Sequence, residues 1–193
     1  MSKVIEFNSQ REDYIYLLQS LELEGMDRLI NKLDDMGFFK APASTQYHLS
    51  YEGGLLEHSL NVYVKARELR DIWIRGNFNL EKEVPVRSII LCSLLHDIGK
   101  ANDYTQNILA SGKISNTKPY KSISTPYKIA HEDESVFIAN KYIDLSEKEI
   151  HAIYLHNGMY GEHKYSFQGN ETPLALILHF ADMWASRILE RGL

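Results

Sequence analysis

Apolar residues recur at the three- and four-residue spacing of an α-helix along most of this chain, so its apolar surface is best buried by packing helix on helix. Tyr14, Leu17, Leu18 and Leu21 form one stripe, with Ser9 placed to cap it. Met26, Leu29, Ile30 and Leu33 form a second between Glu24 and Met36, stopped at Gly37. The stretch from Phe39 to Gly54 holds Pro42, Ser44, Thr45, Ser50, Gly53 and Gly54 and reads as a loop. A long helix runs from about Leu55 to Ile74, ending near Gly76 and Asn77. Pro85 suits the first turn of the next helix, which carries Ile89, Ile90, Leu94 and Leu95 and stops around Gly99. Helices resume over 131–142, 146–156 and 173–191, and Ser146 followed by Glu149 has the pattern of a capping box. Residues 157–172 read as a Gly-rich loop.

Residues 104–130 differ in character. They include Lys113, Lys118, Lys121 and Lys128, two prolines and three tyrosines, with no aspartate or glutamate, which predicts a flap or a β-hairpin and not a helix. No internal repeat, low-complexity tract or linker interrupts the chain. At 193 residues it is expected to form one domain, 1–193, with the helices of 1–40 packed on the core made by the rest.

Composition excludes several classes. The formal charge of -5 gives the whole molecule no attraction for nucleic acid or anionic membrane, so affinity for phosphate has to be local and no stable nucleic-acid complex is expected. The one cysteine, Cys92, lies in an apolar run and reads as a small core residue; an intramolecular disulfide is impossible. The first residues lack the apolar stretch of a signal peptide, and no run of about 18 apolar residues occurs, so a cytoplasmic location is expected.

The chemistry is concentrated in a few polar residues on apolar helices. In Leu94-Leu95-His96-Asp97-Ile98-Gly99-Lys100 a histidine and an aspartate sit side by side at the end of an otherwise apolar helix. A charged Asp there costs several kcal/mol unless something positive compensates, and a divalent cation does so, with imidazole and carboxylate as suitable ligands. Alone the dipeptide is weak, since a hydrogen-bonded pair at a helix end would also explain it. Asp182 follows Leu174, Ala175, Ile177 and Leu178 mid-helix; it cannot cap and needs a partner. His58 lies early in the long helix, His131 opens a helix and His156 closes one. Each of these three, taken singly, fits a helix-end residue facing the dipole.

In this order, with Gly53-Gly54-Leu55-Leu56-Glu57-His58-Ser59 and His96-Asp97-Ile98-Gly99-Lys100, the sequence resembles the HD-domain superfamily over residues 40 to 190. The resemblance implies an all-α helical bundle with a central metal site. It implies that His58, His96, Asp97 and Asp182 hold a first metal. The additional His131 and His156 resemble the subgroup that binds two, with Asp97 bridging. The cofactor expected is therefore a pair of divalent ions, Fe, Mn, Zn or Mg. The Gly-Tyr-Pro signature of cyclic-di-GMP phosphodiesterases is missing after His156-Asn157-Gly158.

The function implied is a metal-dependent phosphohydrolase acting on a phosphate monoester or diester of a small nucleotide-like substrate. Two cations would share a water, lower its pKa and hold the ester for in-line attack. His96, Asp97 and Lys100 are the expected catalytic residues, Lys100 contacting a phosphate oxygen. Lys100, His48, Tyr104 and Lys128 are the expected substrate contacts, with a basic lid over 104–130 and Tyr104, Tyr120 or Tyr127 able to stack on a base. Glu57 and Glu132 are candidates to orient ligands from behind. His179 reads as a core or supporting residue, His151 and His163 as uninvolved, and Trp73 and Trp184 as packing residues. Three alternatives remain open: an HD-fold diiron oxygenase with the same ligands, a 3′-5′ exonuclease-like phosphodiesterase, and a non-catalytic nucleotide-binding module.

Overall fold

The computed structural model describes residues 7–75 and 78–191, so the expected helix end at Gly76 and Asn77 lies outside the described residues. Among the described residues the fold is an all-α helical bundle with one two-stranded sheet. Its elements are α1 (Phe7–Gln19), α2 (Met26–Asp35), α3 (Gly54–Trp73), α4 (Phe78–Glu83), α5 (Val86–Leu95), β1 (Tyr104–Gln106), β2 (Tyr120–Ser122), α6 (His131–Asn140), α7 (Glu147–Tyr154), α8 (Lys164–Phe167) and α9 (Pro173–Trp184).

α3 is the axis of the bundle, packing on α5, α9 and α1, while α7 packs on α5, α6 and α9. Every residue of α5 from Ser88 to Leu95 is buried, as expected of a helix that is apolar all round. α1 is fastened to it by the Tyr14 hydroxyl, which donates to the Leu94 carbonyl at 2.7 Å. Ser9 does not cap α1: the helix already runs at Phe7, so the serine sits within its first turn. On α2 the four expected residues, Met26, Leu29, Ile30 and Leu33, are the buried ones.

The segment before α3 is a loop with a short 3-10 turn over Phe38–Lys40, because Phe38 and Phe39 turn inward against Tyr14. Ser44 organises the stretch leading to His48. Its hydroxyl accepts from the backbone N–H of Tyr47 and of His48, each at 3.0 Å, and donates to the His48 carbonyl at 2.7 Å. The Gly53-Gly54 pair is required locally. Gly53 has φ 85, and a Cβ on Gly54 would fall 2.0 Å from the Leu49 carbonyl oxygen.

Pro85 immediately precedes α5 and does not lie in its first turn, its ψ of 151 keeping it extended. α5 also ends earlier than expected, at Leu95. His96 closes it, Asp97 leaves helical geometry with φ -113 and ψ 10, and a 3-10 turn runs over Ile98–Asn102. Residues 104–130 contain the antiparallel hairpin β1–β2, with Thr105 opposite Lys121. α7 carries the full capping box, Ser146 and Glu149 bonding reciprocally. His156 lies beyond α7 and does not close it, since Leu155 already departs from helical geometry. Residues 157–172 are not simply a loop: they hold a 3-10 turn over Gly158–Tyr160 and the short α8, whose Phe167 is buried against His179. The last helix is α-helical only to Trp184; a π turn over Ala185–Leu189 continues from it. Among the described residues no helix is long and apolar enough to cross a membrane.

Candidate metal centre

Asp97 is 1% exposed and stands at the middle of the bundle with a different histidine pair on each oxygen. Its Oδ2 lies 3.6 Å from His58 Nε2 and 3.4 Å from His96 Nε2. Its Oδ1 lies 3.3 Å from both His131 Nε2 and His156 Nε2. Asp182 Oδ1 is 3.1 Å from His58 Nε2, on the Oδ2 side. The fold thus gathers all six residues that the sequence singles out. They come from α3, the end of α5, the start of α6, the turn after α7, and α9.

Each histidine is held from behind. Nδ1 of His96 donates to the Ser93 carbonyl at 2.8 Å, and Nδ1 of His156 to the Ile153 carbonyl at 2.7 Å. His58 Nδ1 is 3.0 Å from each oxygen of Glu190, and His131 Nδ1 is 3.1 Å from Glu132 Oε2. An oxygen acceptor on Nδ1 keeps a proton there, so in the neutral ring the Nε2 lone pair points at Asp97. Four imidazoles oriented this way around one carboxylate are a ligand set in search of cations. Unpartnered atoms agree: His58 Nε2, His96 Nε2 and Asp97 Oδ1 are buried with no hydrogen-bond partner among the described residues. The clusters His58–His96–Asp182 and His96–Asp97–His156 each bring their ligand atoms close enough to hold a metal ion.

The electrostatics reflect crowding in a low-dielectric centre. Burial pushes Asp97 up, but Lys100, His96 and the close approach of His131 and His156 outweigh it and hold the carboxyl well below its usual range. Asp182 is likewise lowered, its burial overcome by His58. Burial opposes charge on His58, yet Glu190 and Asp182 hold its imidazole up at about 10. Burial prevails at His96, which falls to about 3, and at His48, which falls to about 4. Lys100 Nζ sits 2.6 Å from Asp97 Oδ2 and is raised: burial disfavours its charge, but Asp97 overcomes that.

The four expected substrate contacts do not share one cavity. Lys100, Tyr104 and Lys128 line a space of about 610 Å³ beside His131, together with Glu132, Asn157 and Tyr160. His48 lines a separate space on the His58 side with Tyr47, Ser186, Arg187 and Arg191. The basic lid is only partly realised. Lys128 pairs with Asp103 at 3.1 Å, Lys113, Lys118 and Lys121 are exposed, and Tyr127 is 89% exposed. Glu132 supports His131 as expected, whereas Glu57 accepts from the Tyr51 hydroxyl at 2.7 Å and orients no ligand. His179 is a buttress: its Nδ1 bonds to the His156 carbonyl at 2.8 Å, and a Cβ on Gly158 would fall 2.5 Å from its ring. Trp73 packs edge-on against Phe180, while Trp184 is 46% exposed.

Two functional neighbours escaped the sequence reading. Asn157 donates to Glu132 Oε1 at 2.7 Å and lies 3.2 Å from Nε2 of both His131 and His156. Its position next to His156 was the one signal for it. Glu190 gave none, because eight residues from Asp182 is not the same face of a regular helix.

Residues 55–185 match the HD domain model, and the chain belongs to the HD domain family. A dihydroneopterin 2′,3′-cyclic phosphate phosphodiesterase of Methanocaldococcus jannaschii is 40% identical over 65 residues, 34% of this chain. That match covers 25% of the relative, so the resemblance reaches only a quarter of its length. No solved structure matches the chain significantly.

Proposed function

We propose that this HD-domain protein is a metal-dependent phosphohydrolase that cuts a phosphate monoester or diester of a small nucleotide-like molecule. His58, His96, Asp97 and Asp182 hold one divalent cation; His131, His156 and the shared Asp97 hold the second. The observation that carries the reading is the division of Asp97, Oδ2 facing His58 and His96, Oδ1 facing His131 and His156. Divalent cations placed there supply charge for phosphate oxygens and lower the pKa of water. The named relative, a cyclic phosphate phosphodiesterase, supports ester cleavage.

The chain's own groups divide the remaining work. Glu132 and Asn157 keep His131 oriented at the wall of the 610 Å³ cavity, where a substrate has room to lie, and Asn157 also reaches the buried His156 behind it. Lys100, whose ammonium is tied to Asp97, is within reach of an anion entering there and offsets its charge as a point cation. Tyr104 and Tyr160, on the walls of the same cavity, offer faces to a base.

The test is turnover under nitrogen. Protein purified anaerobically and loaded with Mn²⁺ or Fe²⁺ is expected to release phosphate, or open the ring, from a panel of nucleoside monophosphates and 2′,3′-cyclic phosphates, and to stop in EDTA. No ester cleavage under nitrogen, together with substrate-dependent oxygen uptake when air is admitted, would replace the hydrolase by an oxygenase.

A further inference from the structure

The π turn at the end of α9 and the glutamate behind it have no place in the ligand set, and Glu190 lies beyond the residues that match the family model. Glu190 is nonetheless buried, its side chain 1% exposed. A carboxylate is costly in such a place unless it is paired. Both its oxygens are 3.0 Å from His58 Nδ1, and Asn61, one turn along α3 from His58, donates to Oε1 at 3.0 Å. His58 is therefore held between two acids of one C-terminal segment, Asp182 on Nε2 and Glu190 on Nδ1.

Helix geometry explains how one segment supplies both. At 3.6 residues per turn, eight residues of regular helix would rotate Glu190 about 80° away from Asp182. The Glu190 N–H instead bonds back five residues to the Ala185 carbonyl at 3.0 Å. That wider turn takes in one extra residue, so eight residues complete two turns and both acids face α3. We propose that Glu190 is a positioning residue for the cation on the His58 side, aimed at His58 Nδ1 by the π turn. The carboxylate fixes the ring and makes Nε2 the better donor to metal.

His48, His58 and Glu190 are also spaced as a cation site of their own. A third ion there would have to take the lone pair of His58 Nδ1 while Nε2 serves the first, and a neutral imidazole has one lone pair to give. The trio is accordingly a support and not a site.

The inference rests on His58 being a ligand, and its test reads metal binding, not turnover. Metal-free wild-type and E190Q protein are titrated with Mn²⁺ by calorimetry. In E190Q one of the two ions is expected to bind about 10–100-fold more weakly, the other unchanged. Deletion of Ile188, which is 57% exposed, removes the extra residue and brings the acids to a seven-residue spacing. It is expected to keep both ions tight, and to lose one when combined with E190Q. Should the deletion not fold, E190Q alone decides. Wild-type affinity for both ions in E190Q, equal weakening of both, or a third Mn²⁺ in the wild type that E190Q abolishes would each overturn the inference. A wild type that binds no Mn²⁺ would instead overturn the metal reading beneath it.

Discussion

Gly99 and His131 are in backbone contact, such that a Cβ on Gly99 would lie 2.4 Å from the His131 carbonyl oxygen. The Gly99 N–H also donates to Ser135 Oγ at 2.9 Å, so the turn after the His96-Asp97 pair is seated directly on the first turns of α6. This contact sets His131 against Asp97. Gly99→Ala must push α6 outward, at a cost of about 1–3 kcal/mol from overpacking. It is expected to lower the melting temperature and to lose the ion on the His131 side first. Two tightly bound ions at an unchanged melting temperature would show that the close approach does not matter.

The division of Asp97 between two histidine pairs makes the ligands unequal. His131→Ala removes a group that touches only Oδ1, so the purified protein is expected to retain one metal ion of two by elemental analysis. Asp97→Ala removes the group common to both sides and is expected to strip both. Equal metal content in the two variants would contradict a shared carboxylate.

Lys100 is bonded to Asp97 but offers no lone pair to a cation while charged. Lys100→Ala is therefore expected to keep its metal and raise KM for an anionic substrate by about tenfold or more, equivalent to roughly 1.4 kcal/mol, the scale of one charge-assisted contact. Steady-state kinetics beside metal analysis separates the two. An unchanged KM removes Lys100 from substrate binding.

In metal-free protein the histidines set opposing pH dependences. His58 is held up at about 10 against an ordinary 6.5, so its contribution to stability is complete below pH 6.5 and is lost as pH rises through 10. His96 and His48, down at about 3 and about 4, act the other way. Below pH 6.5 the unfolded chain takes up protons that the folded protein refuses, and stability falls towards acid. The lowered Asp97, Asp182 and Glu190 add to the acid loss as they are forced to protonate. Thermal scans in EDTA are expected to peak near pH 6.5, and a melting temperature that climbs steadily from pH 6.5 to 9 would refute the His58 clamp.

Local patterns carried much of this molecule. The stripe of α2, the capping box of α7 and the apolar run of α5 depend on neighbours three or four residues apart, so their spacing alone determined them. His96, Asp97 and Asp182, polar residues on otherwise apolar helices, were visible because burial of charge needs a partner wherever that partner lies, whereas His58, His131 and His156 were singled out only through the resemblance to the HD family. The tertiary structure decided every relation between distant segments. It gave His48 and Lys100 to different cavities, turned Lys128 to Asp103, and brought Asn157 beneath two histidines. It also set Glu190 on His58 through a π turn that no helical periodicity encodes. Local spacing obeys the geometry of one helix, whereas contacts between helices depend on how their faces pack, and a single extra residue in one turn is enough to redirect a carboxylate.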